Sequence, residues 1–355
     1  MGARDDNGAI KAGRPSLRRW AADVCCAAGG LQVGRWISRR VPRILLYHRF
    51  GSDDEGRRTC ADVFAQQMVF VKKHCHVMAM AELGELLRAG ESLPDNTVVI
   101  TVDDGYEDFY THAFPVLIKY GLPATFYVTT GFVDRRLWLW PDRVSYMLEN
   151  TLLRQWPLTI RGEERLRSPQ DKRERRKLWI EICQYCLSLE EQQKHLFLDD
   201  LAGRLEVNVP AEIPSDCAPV SCQQLQEMSR SGIEIGAHTA THPRLVKIPE
   251  GQLAEEIVGA KRRIEEIIGQ PVLSFSYPNG DTDDYDDRLK DLVEKAGYLS
   301  AAVAYPNAGT RDRFEIGRYS VGSGMREFQL LLSWRGIFSR PSRRVDATPR
   351  WRYGF

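Results

Sequence analysis

Asp103 and Asp104 stand side by side in Thr101-Val102-Asp103-Asp104-Gly105. Two adjacent carboxylates repel unless one of them is neutralised. A cation bound to one resolves the repulsion and leaves the other free as a base. The same pair followed by a glycine is also an ordinary turn or helix-cap arrangement, so alone it is half an argument. The other half is His238-Thr239-Ala240-Thr241-His242. On a helical turn, imidazoles four residues apart fall on one side and can share an ion. The chain has seven histidines, and finding two of them directly after an apolar run favours ligation over a lone structural histidine. Two imidazoles and one carboxylate, with positions left for water and substrate, suit one divalent ion: zinc first, with manganese, cobalt, nickel or iron as alternatives.

Four candidate strands run into such residues. Ile44–Tyr47 leads to His48, which is either structural or catalytic. Val98–Val102 leads to Asp103, Ile233–Ala237 to His238, and Leu273–Ser276 to Tyr277. Strand C-termini of a parallel barrel open on one face, so these groups converge there. The first of these strands begins at Arg43, and three further strands are expected at Ala124–Thr129, Ser300–Ala304 and Glu315–Val321. Helical periodicity appears at Asp62–Lys73, Met80–Ala89, Tyr110–Lys119, Gln223–Ser231, Gly251–Ile268 and Asp286–Lys295, with Gly121 and Gly269 as stop signals. The alternation is that of an α/β fold. It lapses over 135–219, a charged and helical insertion (Arg143–Arg154, Pro169–Leu187, Glu190–Leu205) that reads as a lid or subdomain. Trp138 and Trp140, soon after a core strand, are placed nearer the active face as a sugar-stacking wall, and Trp179 is read as packing. Residues 1–40 read as a polar, partly helical leader (Leu17–Ala27), and 323–355 as a basic C-terminal tail.

Composition sets the outer bounds. With 355 residues, 43% hydrophobic and 27% charged, the chain is an ordinary globular protein with room for a full core. A net charge of +1 gives no field for nucleic acid. Arginines gather near both ends, which reads as solvated termini or as weak attraction to an anionic membrane face. The eight cysteines form no scaffold pattern, and Cys183 and Cys186, three apart in a helical stretch, face one another rather than a metal. The N-terminus makes a poor export signal, and the longest uncharged stretch, Ala296–Thr310, is broken by glycine and proline, short of the ~20 residues of a membrane span. A cytoplasmic protein, at most at the inner membrane surface, is expected. Nothing indicates an oligomeric state.

Thr101–Gly105, His238–His242 and Phe275-Ser276-Tyr277-Pro278-Asn279-Gly280 resemble, in order and spacing, the first three motifs of the polysaccharide deacetylases, the carbohydrate esterases with a NodB-homology domain. The likeness runs from Ile44 to Val321. It implies a distorted (β/α) barrel of about seven strands over 41–322, with Asp103 as general base and Asp104, His238 and His242 on the metal. It further implies that the Tyr277 backbone N–H helps hold the oxyanion. Val102 stands where the family usually has phenylalanine. The third motif lacks its usual arginine, for which Arg318 in Ile316-Gly317-Arg318-Tyr319 is the substitute. The late Leu-x-His motif is absent, since no histidine follows His242. Tyr47-His48 instead resembles the Tyr-His first-strand variant of poly-N-acetylglucosamine deacetylases, which makes His48 the candidate acid. The implied activity is metal-dependent removal of an N-acetyl group from an amino sugar, in a polysaccharide or its lipid- or nucleotide-linked precursor. A deformylase or other amide hydrolase on this scaffold, or an inactive glycan-binding protein, are the alternatives.

Overall fold

The computed structural model describes residues 29–52, 58–307 and 312–335. The expected leader helix Leu17–Ala27 lies outside them, as does the tail beyond 335. Residues 323–335, expected as the start of that tail, instead carry the helix Met325–Leu330, because Phe328, Leu331 and Leu332 are buried in the barrel core. The strands are β1 (Arg43–Tyr47), β2 (His76–Met78), β3 (Thr97–Val102), β4 (Thr125–Val128), β5 (Trp156–Ile160), β6 (Glu163–Arg167), β7 (Glu234–Ala237), β8 (Ser274–Ser276), β9 (Ser300–Val303), β10 (Ile316–Gly317) and β11 (Tyr319–Ser320). The main sheet runs β10-β9-β8-β7-β4-β3-β1-β11, with β2 paired to β3. All its pairings are parallel.

Its strands read as near-continuous apolar runs because both faces are covered: Arg43-Ile-Leu-Leu-Tyr47 and Thr97-Val-Val-Ile-Thr-Val102 are buried at every position. The last strand closes the sheet. Ile316 and Gly317 pair with β9, the chain breaks at Arg318, and Tyr319 and Ser320 pair with β1. The path thus counts eight strands rather than about seven, two of them being halves of one stretch interrupted at Arg318. The result is a nearly closed, distorted (β/α) barrel.

The surrounding helices follow their sequence signals. Gly121 and Gly269, at φ 60 and 70, end Phe114–Tyr120 and Ala260–Ile268 in the left-handed conformation a glycine cap supplies. Ser221 and Gln224 form a reciprocal capping box on Cys222–Arg230. The periodic stretch expected as one helix over 251–268 carries a π-helical turn at Glu255–Gly259. Among the described residues no helix is long and apolar enough to cross a membrane.

The inserted segment has a core of its own, built from Trp140, Val144, Met147, Trp156, Leu158, Ile182 and Leu198 among others. Its helices are Trp140–Asn150, Lys172–Ser188 and Glu191–Arg204. It is not wholly helical, as the sequence reading had it, because β5 and β6 form an antiparallel hairpin. The hairpin's two loop residues, Arg161 and Gly162, both take positive φ (56 and 79), as a tight two-residue turn requires. Cys183 and Cys186 are free thiols inside this core.

Candidate active site

Asp104, His238 and His242 meet at the C-terminal ends of β3 and β7. Each is at most 4% exposed, and one ligand atom from each lies within 4.8 Å of the others. Asp104 Oδ1 stands 3.6 Å from His238 Nε2 and 3.5 Å from His242 Nε2. Those gaps are longer than a good hydrogen bond. They are close to the edge of a tetrahedron with bonds of about 2.1 Å, roughly 3.4 Å. His238 Nδ1 lies 2.7 Å from the Ser276 carbonyl, so that nitrogen carries the proton and Nε2 turns its lone pair to Asp104. Asp104 Oδ2 is buried without a hydrogen-bond partner among the described residues. An orphaned carboxylate oxygen beside two aimed imidazoles is what a cation site looks like, and these residues fit a divalent ion.

The electrostatics agree. Burial pushes the Asp104 carboxyl up, but the imidazoles of His242, His48 and His238 outweigh it and hold it well below the usual range. Burial drives His238 down to about 4, so its ring is neutral near pH 7, as a ligand must be.

Asp103 lies beside the cage, its Oδ2 4.0 Å from His238 Nε2. Arg318 grips it with two bonds, Nη1 to Oδ1 at 2.6 Å and Nη2 to Oδ2 at 2.7 Å. The same guanidinium donates to Thr101 Oγ1 (3.2 Å), Ser276 Oγ (2.9 Å) and the Val303 carbonyl (3.0 Å). All the N–H donors an arginine possesses are therefore used, at a fully buried position. Burial raises the Asp103 carboxyl, Arg318 more than offsets it, and the group stays ionised. Arg318 reaches Asp103 from the break in the closing strand, spanning to β3, β8 and β9.

His48 follows β1 and is half-buried. It is near enough for Asp104, Asp103, Arg318 and His242 to act on its proton; burial is the largest influence and lowers its pKa. Tyr277 does not serve as expected. Its backbone N–H donates to the Ala302 carbonyl at 3.1 Å as part of the sheet. Its ring is buried and stacked on Tyr285, with the hydroxyl donating to the Phe314 carbonyl. That N–H is committed to structure, so an oxyanion role for it is withdrawn. Trp140 is 6% exposed and sits in the insert core rather than on the active face. Trp179 packs against that core as expected, and its ring also lines a cavity beside the barrel. Trp138 is half-buried, edge-on to Tyr146.

Several supporting residues escaped the sequence reading. His238 and His242 are not on a helical turn. They sit on a loop in which Thr239 and His242 take φ of 66 and 60, and the rings come within 4.8 Å, centroid to centroid. Glu256 fixes this loop, accepting from the Ala240 and Thr241 N–H groups at 2.9 Å each and from the Thr241 hydroxyl at 2.6 Å. From the other side, the Thr130 and Gly131 N–H groups bond the Thr239 and Ala240 carbonyls. A side chain at Gly131 would bring its Cβ within 2.7 Å of the Ala240 carbonyl oxygen. Asp104 itself is at φ 82 and Asn279 at 61. Such conformations cost about 1–3 kcal/mol each and persist where the surroundings enforce them.

The profile of the polysaccharide deacetylase family matches residues 90–153 and 207–301, the blocks that carry Asp103 and Asp104, and His238 and His242. YxkH of Bacillus subtilis (strain 168), itself named as a polysaccharide deacetylase, is 23% identical over 295 residues, 82% of this chain and 76% of that protein. The poly-β-1,6-N-acetyl-D-glucosamine N-deacetylase of Escherichia coli (strain K12) is 40% identical over 57 residues, a local match covering 16% of this chain and 8% of that enzyme. In fold the chain resembles the Streptococcus pyogenes deacetylase PplD solved in complex with acetate, with a TM-score of 0.55 at 17% identity over 82% of this chain and 98% of that one. Matched blocks, motif order and barrel agree with one another, and the family this chain resembles by all three is that of the polysaccharide deacetylases.

Proposed function

We propose that this protein is a metal-dependent hydrolase that removes the N-acetyl group from an amino sugar of a glycan or its precursor. The observation that carries the reading is the cage of Asp104, His238 and His242 with a second carboxylate beside it, ionised and clamped by Arg318. A divalent ion held by those three would supply Lewis acidity toward the acyl carbonyl and ease loss of a proton from water. Asp103 is placed to take that proton, and its two bonds to Arg318 fix the carboxylate's direction. The water oxygen then bonds to the acyl carbon. The carbon–nitrogen bond breaks as the nitrogen gains a proton, because an unprotonated amide nitrogen is a poor leaving group. His48, which directly follows the first strand and shares the electrostatic neighbourhood of Asp103 and Asp104, is assigned as the donor of that proton. The products are acetate and the free amine.

The substrate for which the Escherichia coli relative is named supports N-acetylglucosamine polymers as the first glycans to try. The test is acetate release from N-acetylglucosamine oligomers by the purified protein supplied with zinc. Release that stops on chelation and returns with metal is expected; a metal-loaded protein that releases no acetate refutes the reading.

A further inference from the structure

A cavity of about 190 Å³ lies where the insert meets the barrel's catalytic face. On the barrel side stand Arg49, directly after His48, and Tyr106, directly after Gly105. Across from them are Asp142 and Tyr146, four apart on one face of the helix Trp140–Asn150, and Trp179 from the helix Lys172–Ser188. The volume is below the ~300–1,000 Å³ of sites for drug-sized ligands, so it takes one ring-sized group rather than a chain.

A gap left by imperfect packing would be apolar. This one has polar groups held in set directions by contacts between insert and barrel. The Tyr106 hydroxyl donates to Asp142 Oδ2 at 2.6 Å. Arg49 donates to Asp108 Oδ2 and to the Asp216 carbonyl, each at 2.6 Å, while its guanidinium lies 3.8 Å from the Tyr106 ring centroid. Arg49 and Arg58 face Asp142, Asp216 and Glu149 around the cavity, so opposing charges nearly balance and no strong field selects an anion. The half-buried rings of Trp179 and Tyr146 add flat apolar surface. Aromatic faces with fixed carboxylate and guanidinium groups suit a neutral ring carrying hydroxyls. The cavity and the metal cage also share a neighbourhood. Burial raises the Asp142 carboxyl, and the charge on Asp104 adds to that rise.

We propose that this cavity is a subsite for one neutral pyranose ring of the glycan, adjacent to the sugar that is deacylated at the Asp104, His238 and His242 cage. The proposal rests on the N-deacetylase reading. Trp179 belongs to residues 154–206, which lie between the two blocks matched by the family profile, whereas Tyr146 falls inside the first block, so the indole face is what this chain's insert adds to the cavity.

The experiment compares acetate release from the β-1,6-linked N-acetylglucosamine tetramer and from the monomer. Wild type is set against Ser145→Trp, which fills the cavity, and Tyr146→Ala, which strips one of its rings. Wild type is expected to have the lower KM for the tetramer, and each variant to raise that KM about tenfold, the loss falling on KM rather than kcat. Equal KM for tetramer and monomer in wild type overturns the subsite, and so does an unchanged tetramer KM in both variants. Tyr146→Ala removes bulk instead of adding it and reads the same quantity if Ser145→Trp does not fold. If metal-loaded wild type releases no acetate, the N-deacetylase reading falls. Calorimetric titration with the tetramer then decides the subsite alone: binding lost in the variants supports it, and binding equal in all or absent from wild type refutes it.

Discussion

The barrel's catalytic face and the insert use polar groups in opposite ways. In the barrel Asp103, Asp104, His238, His242 and Arg318 are buried, with His48 half-buried beside them. Arg318 has every donor engaged, and Asp104 turns Oδ1 toward both imidazoles while its Oδ2 is buried without a hydrogen-bond partner among the described residues. In the insert the buried cluster is built of aliphatic side chains, aromatics and two thiols, and carboxylates and guanidinium groups stand at the cavity and the surface. The contrast teaches a division of labour. On the proposed function, the groups assigned to move protons are held at the ends of the barrel strands, while part of the proposed sugar subsite hangs on a separately packed unit. Substitutions on one side should therefore leave the other side's properties standing.

The largest effect is expected from Asp104→Ala, which removes a ligand from a closed cage. Metal content after dialysis and acetate release should both fall to background, with the insert still folded by circular dichroism. Arg318→Met comes next, because it leaves Asp103 buried and unpaired, at a cost of about 3–5 kcal/mol. Denaturant unfolding should show that loss, and the pH–rate profile should shift to higher pH as the Asp103 carboxyl loses its cation. Arg318→Lys keeps a charge but has fewer donors than the guanidinium has acceptors here, so it should restore the profile only in part. An unshifted profile in Arg318→Met would remove Arg318 as the residue that positions the base.

How much of this was legible in sequence depends on what each residue was paired with. Strand runs such as Val98–Val102 stood out because β-branched residues buried on both faces leave no alternation to confuse. Their terminal residues converge in any parallel barrel, which is why Asp103, Asp104, His238 and His242 could be gathered from distant segments. Arg318 could be noticed only as an arginine in the last strand; its reach across the barrel depends on the break that closes the sheet. Glu256 gave no signal, since a π-helical turn inside an ordinary helix aims it at the histidine loop. The Tyr277 N–H could not be judged without knowing that β8 pairs with β9. The β6 strand, Glu-Glu-Arg-Leu-Arg, is almost wholly exposed and carries no pattern to read. Trp140 was misplaced because burial inside the insert follows helix faces that the barrel's logic does not set.

Smaller effects probe the division from each side. Glu256→Ala frees the loop between the two histidines and should weaken metal affinity about 10–100-fold, as loss of an outer support does at such sites. Competition with a chelator measures it, and an unchanged affinity would reduce Glu256 to a packing role. On the other side, Leu198→Ala opens the insert core at a position 0% exposed and should cost about 2–5 kcal/mol of stability. Its metal affinity should equal wild type. A coupled fall in affinity would show that barrel and insert act as one unit.

The smallest effect is the acid side of stability in the metal-free protein, and there the two regions pull in opposite directions. His238 is held neutral in the folded barrel down to about pH 4, but its unfolded counterpart takes up a proton near 6.5. Between those values the unfolded chain binds more protons, so stability falls as the solution is acidified. His48, also lowered by burial, adds to the same slope. Asp142 at the insert cavity is the reverse: burial raises its carboxyl above the free value, so the folded state binds the extra proton and acidification is partly offset. His238→Asn should therefore flatten the decline of the melting temperature between pH 6.5 and pH 4, and Asp142→Asn should steepen it. Thermal melts of chelator-treated proteins across that range measure both slopes. If the two variants keep the wild-type slope, burial of these groups is not what sets the acid response, and the electrostatic contrast between barrel and insert fails.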